Sequence, residues 1–161
     1  MADSLLRVAM AASNNGLRTK IADGAASGAI TASTWTPTPM NTVVYDPLSQ
    51  NSTSGAVGSI TVKLDGYYIV SMRTSYLGVV DLTRMAASIW VEPSGGSIVG
   101  TLYGGDLTSG GAQVACMCTI GLLALHAGDL VAGYIFTSTG ASTTSAVGTL
   151  NTLEAAFVGP L

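Results

Sequence analysis

Residues 123–131, Leu-Ala-Leu-His-Ala-Gly-Asp-Leu-Val, place two apolar runs on either side of a short turn. Ala127, Gly128 and Asp129 are small or turn-forming, so the backbone can reverse there at low steric cost. Apolar residues on both flanks make the two runs strands, each buried on at least one face. The segment therefore predicts a tight strand-turn-strand unit in a β-rich chain, and it says more about fold than about reaction.

Composition explains how such strands would be covered. Ala, Gly, Ser and Thr fill 77 of the 161 positions, and only 9% of residues are charged. A soluble monomer normally carries about a quarter charged residues. Disorder does not account for this, because disordered chains combine low hydrophobicity with high net charge, whereas here 48% of residues are hydrophobic and the net charge is -3. What remains is a compact β protein whose surface is largely covered by copies of itself or by a larger lattice. The length suits one domain with an arm. Six Lys and Arg are scattered against nine Asp and Glu, which provides no basic stripe for nucleic acid. No membrane insertion is expected, since the longest apolar runs, such as residues 120–125, fall far below the ~20 residues a spanning helix needs. Residues 5–12 end in small residues as a signal peptide would, but Asp3 precedes the run, Arg7 interrupts it and no basic segment leads it.

Residues 1–33 differ from the rest: turn signals at Asn14-Asn15-Gly16 and Asp23-Gly24, and no helical stripe. They predict an extended attachment arm, with 34–161 as the folded domain. Trp35-Thr36-Pro37-Thr38-Pro39 is a lead-in or edge segment, because each proline lacks an amide donor. Strands are expected over 42–45, 59–64, 67–73, 85–91, 97–103, 112–125, 130–137 and 150–158, with Gly/Ser-rich connections including Gly104-Gly105. So many short strands, evenly spaced, mean an antiparallel β-sandwich. In 67–73, Tyr68, Val70 and Met72 share one face and Tyr67, Ile69, Ser71 and Arg73 the other. In 112–125, Val114, Cys116, Cys118, Ile120 and Leu122 form the expected core stripe. Ala115, Met117, Thr119 and Gly121 then face outward, small or uncharged, as the expected subunit contact.

Catalytic signals are nearly absent, and no enzyme is expected. The single histidine, His126, has only Asp129 nearby in sequence, so any triad would need distant partners. Cys116 and Cys118, two apart on a strand, sit about 7 Å from each other on one face, too far for a relaxed disulfide. They read as reduced, buried small hydrophobes, with no CxxC or HxxxH spacing for zinc. Asp81, Asp106 and Asp129 form no clustered calcium loop, and no phosphate loop occurs, so no cofactor or metal is expected. Asp65 and Asp129 read as turn residues whose carboxylates accept backbone amides. Tyr67, Tyr76, Trp90, Tyr103 and Tyr134 are assigned to core or subunit-axis packing in preference to an exposed glycan- or protein-binding surface.

Three segments in order, Leu64-Asp65-Gly66-Tyr67-Tyr68-Ile69-Val70, the Leu-His-Ala-Gly-Asp-Leu-Val stretch and the closing Ala155-Ala156-Phe157-Val158, resemble the complement globular-head and tumour necrosis factor-like family. The resemblance covers residues 40–161 and implies a ten-strand jelly roll assembling as a homotrimer. Collagen-like or stalk segments, common in animal members, are missing, as is the usual richness in aromatic residues. Small chains of this kind, rich in Ala, Gly, Ser and Thr, look like bacteriophage virion proteins. The expected role is a capsid decoration protein or short head fibre in the virion, bound to major capsid protein through Leu5, Leu6, Arg7, Val8, Met10, Arg18 and Lys20. The alternative is the receptor-binding tip of a tail fibre, with a host surface glycan or protein as partner.

Overall fold

The computed structural model describes residues 18–22, 29–38, 40, 42–52, 58–77, 84–97, 99–108, 115–139, 141–143 and 151–161. Every regular element among them is a strand: β1 (Arg18–Ala22), β2 (Ala29–Ile30), β3 (Thr36–Pro37), β4 (Thr42–Tyr45), β5 (Asn51–Ser52), β6 (Ser59–Thr61), β7 (Gly66–Leu77), β8 (Arg84–Glu92), β9 (Val99–Thr108), β10 (Ala115–Leu125), β11 (Leu130–Thr137), β12 (Ala141–Thr143) and β13 (Thr152–Gly159). A seven-stranded sheet runs β2-β12-β7-β13-β1-β4, with β10 on the other flank of β7. A six-stranded sheet runs β5-β6-β11-β8-β9, and β3 also pairs with β11. All pairings are antiparallel.

The core lies between the sheets. Tyr68, Val70 and Met72 of β7 and Leu153, Ala155 and Phe157 of β13 join Met85, Ala87, Ile89 and Val91 of β8 and Val131 and Ile135 of β11 in one buried cluster. Each set alternates along its strand, as the period-two pleat requires, and the expected inward face of β7 is the observed one. Gly66 lies where β7 and β13 come close: a Cβ there would collide with the Phe157 ring and stand 2.6 Å from the Gly159 carbonyl oxygen.

Two expectations are corrected. Residues 1–33 are not a separate arm throughout, because β1 lies inside the larger sheet, paired with β13 on one side and β4 on the other. Ile30 of β2 is also buried in the core. A five-residue strand reading Arg-Thr-Lys-Ile-Ala is too short to carry a clear periodic signature, so only its pairing reveals it. Gly104-Gly105 is not a connection either; it lies within β9 where the pairing to β8 shifts register between Ala86 and Ser88. Two glycines there stand opposite one alanine, which is a β-bulge. Pro37 behaves as expected, in the two-residue β3 against β11, while Pro39 lies outside the described residues.

The Ala-Gly-Asp turn is clamped to the strands beside it. Asp129 is buried, and its carboxylate accepts the amides of His126 (2.8 Å) and Ser94 (3.1 Å). Gly128 takes φ +98°, which favours glycine, and donates to the Val62 carbonyl at 2.9 Å while the Val62 amide donates to the Asp129 carbonyl at 2.8 Å. Asp65 accepts the Ala127 amide at 2.7 Å. Both aspartates thus act as amide acceptors, as their positions suggested. His126 Nδ1 stands 3.7 Å from Asp65, with both side chains largely exposed.

Asp129→Ala removes the acceptor of two backbone amides and is expected to cost about 3 kcal/mol. Denaturant unfolding reads this directly, and an unchanged midpoint would mean the clamp contributes nothing. Tyr68 supplies a second test. Its hydroxyl donates to the Leu64 carbonyl at 2.9 Å, and burial pushes its pKa up to about 12, with the Asp65 carboxylate adding to the shift. An unfolded tyrosine ionises near pH 10. Between about pH 10 and 12 the unfolded chain therefore loses a proton that the folded chain keeps, and stability falls across that window. Equilibrium unfolding at stepped alkaline pH should show this loss, and Tyr68→Phe should flatten it.

Candidate functional site

Two surfaces stand out, one on the outer face of each sheet. On the larger sheet, cross-strand partners share a face, so the register of β10 with β7 decides what each side presents. Thr119 stands opposite Met72, Gly121 opposite Val70 and Leu123 opposite Tyr68, which turns the odd positions of β10 inward. The even positions go outward: Ile120 is 70% and Leu122 61% exposed, while Thr119 is 5% exposed. The expected core stripe of β10 is therefore inverted over its described side chains. The more apolar set of positions faces solvent, and the rule that the more apolar face is the core fails because both faces are apolar.

This outward face is continuous across three strands. Leu122 aligns with Ile69, and Ile69 with Ala156; Ala124 aligns with Tyr67. Tyr67 and Ile69 are each 44% exposed, and Val158 of β13 is 51% exposed. Contiguous exposed apolar residues of this kind mark contact surfaces rather than ordinary solvated ones.

The residues singled out from sequence fall as follows. Of the expected subunit contacts, Thr119 is buried within the chain and Gly121 half-buried. Ala115 and Met117 take their places in β10 opposite Tyr76 and Thr74. Cys116 and Cys118 align with Ser75 and Arg73 in the same ladder. Of the expected attachment residues, Arg18 and Lys20 stand in β1, aligned with Ala156 and Glu154. Leu5, Leu6, Arg7, Val8 and Met10 lie outside the described residues.

On the smaller sheet, Trp90 and Tyr134, expected in the core or at a subunit axis, lie outside the core, as does Phe136. They line the outer face, half-buried, together with Trp35 from the lead-in segment. Trp90 and Tyr134 stack with centroids 4.0 Å apart and planes 18° apart. Trp35 packs tilted against Trp90 at 5.8 Å and against Phe136 at 5.6 Å, and the Arg84 guanidinium stands 5.8 Å from the Phe136 centroid. A shallow depression opens beside Trp90, Glu92, Leu130, Ala132 and Tyr134, and another beside Trp35, Arg84, Ala86 and Phe136. Burial raises the pKa of the Tyr134 hydroxyl above its ordinary value, and the Glu92 carboxylate raises it further. Trp90 and Tyr134 are among the aromatic residues weighed above for an exposed binding surface, but no sequence signal adds Trp35, which lies far from its partners along the chain.

No protein-family model matches the sequence, and no curated protein matches it. Solved structures do match in three dimensions. The globular domain of zebrafish complement 1qA protein superposes with a TM-score of 0.62 at 12% identity, covering 89% of this chain and 98% of that one. Eiger TNF from S. frugiperda gives 0.65 at 11% identity, covering 90% and 94%. Murine APRIL gives 0.57 at 15% identity, covering 88% and 99%. The chain therefore has the antiparallel jelly-roll fold of tumour necrosis factor-like and complement globular-head domains.

Proposed function

We propose that this chain is a homotrimeric bacteriophage structural protein that decorates the capsid, as a cement protein or short head fibre, and works by binding rather than by catalysis. The observation that carries the self-association is the exposed stripe of Ile120, Leu122, Ile69 and Tyr67. Leaving such side chains in water forgoes about 1.5–3 kcal/mol each relative to burial. Copies of the same chain, already bearing the same stripe, are the simplest cover. The virion setting draws on the sparsely charged composition, which suits a surface enclosed by subunits, and on the sequence resemblance described above. Capsid attachment is assigned to residues 1–17 together with Arg18 and Lys20 of β1. Arg7, Arg18 and Lys20 make up half of the six basic residues, so attachment to an acidic capsid surface would weaken as salt rises.

Light scattering on the purified protein should report three chains. Ile120→Glu combined with Leu122→Glu places charge in the interface and is expected to weaken assembly by at least about 100-fold, with the strand signal in circular dichroism retained. A well-folded wild-type monomer at micromolar concentration would overturn the trimer. Deleting residues 2–17, which spares β1, should leave that trimer intact but unable to bind purified capsids. Undiminished binding would move the anchor elsewhere. Full-length protein that ignores capsids yet blocks phage adsorption to cells would favour a receptor-binding tip on the tail.

A further inference from the structure

We propose that the outer face of the smaller sheet is an oligosaccharide-binding strip, with sugar rings stacking on the Trp35, Trp90, Tyr134 and Phe136 cluster between Arg84 and Glu92. The inference does not depend on where the protein is located or on how many copies assemble, because the self-association stripe lies on the other sheet.

Both tryptophans of the chain and one of its two phenylalanines are spent on this solvent-side face. The core is filled mainly by Ile, Val, Leu, Met and Ala, with Tyr68 and Phe157. Large aromatic side chains gain most by full burial, and half-burial on a sheet surface leaves part of that gain for a ligand. Pyranose rings suit such a surface, since they offer an apolar face of C–H groups and a rim of hydroxyls. Stacking uses one face of the Trp90 ring and one of the Tyr134 ring against each other, and both residues border the depression beside Glu92.

The polar groups fit the rim of such a ligand. Glu92 brings a carboxylate to one depression, where it can accept from two neighbouring hydroxyls, and the Tyr134 hydroxyl beside it stays protonated and able to donate. Arg84 brings a guanidinium fork to the other, able to donate to two oxygens. Along β8, Arg84 and Ala86 mark one depression and Trp90 and Glu92 the other, so their centres are roughly 17–20 Å apart. An extended chain of a few sugar rings spans that distance.

Charge and shape separate this occupant from others. Among the described residues the rim carries one cation and one carboxylate at opposite ends, which does not suit a polyanion or a uniformly charged peptide. A flat partner sheet laid over the ridge would leave both depressions empty, against the close packing of stable interfaces.

The chain carries its own reporter, because its two tryptophans both lie in the cluster. Full-length protein is titrated with hexasaccharides of glucose, mannose, galactose and N-acetylglucosamine while tryptophan emission is followed. At least one should give a saturable change, and Tyr134→Ala should weaken its binding about tenfold or more. Glu92→Gln and Arg84→Gln, which leave the aromatic packing in place, should each weaken it several-fold. They keep the test valid if Tyr134→Ala fails to fold. No saturable change with any of the four up to about 10 mM, or binding unaffected by both polar variants, would overturn the proposal. So would concentration-dependent pairing of assemblies that Arg84→Glu abolishes, which would assign the strip to a second copy of the chain.

Discussion

The eleven aligned pairs between β7 and β10 decide which side of the larger sheet becomes core. A slip of one residue would carry every side chain of β10 to the opposite face. Tyr68, Val70 and Met72 admit only one inward set on β7, and from Thr119 onward β10 follows it, odd positions in and even positions out. The cost of that register is Ile120 and Leu122 in solvent. The gain is a sandwich in which β13 and β10 flank β7 and share one buried layer with the smaller sheet.

The turn after β10 holds this arrangement in place. Asp129 binds the amides of His126 and Ser94, and Asp65 binds that of Ala127, so the β6–β7 and β10–β11 connections and the loop after β8 are tied at one end of the sandwich. Carboxylates satisfying several amides are stronger clamps than neutral side chains. The conformation of Gly128 belongs to the same device, since a Cβ there would stand 3.0 Å from the Ser94 hydroxyl in addition to meeting an unfavourable φ.

Much of this was legible in the sequence. The strand over residues 42–45, the strand over 130–137, the inward face of β7 and the roles of Asp65 and Asp129 follow from alternation and turn chemistry, which are local. The misread features are those set by distant partners. β1 gave no pattern because its stability comes from β13 and β4, and the face of β10 was ambiguous because both its faces are apolar. The aromatic strip joins Trp35 to Trp90 and Phe136, which no window along the chain would unite.

The place of β1 has a consequence for how the chain is made. It sits between β4, which follows it closely, and β13, which lies far along the chain from it. During synthesis β1 can at first find only one of its two neighbours, and the larger sheet stays open along that edge until β13 has been made. Topologies built on such distant pairings fold slowly. A nascent chain with so few charges has little repulsion to keep unpaired strand edges of neighbouring copies apart meanwhile. Synthesis on clustered ribosomes would bring those edges together, so the same sparse charge that suits a covered surface makes the interval before closure the most hazardous stage in the life of the molecule.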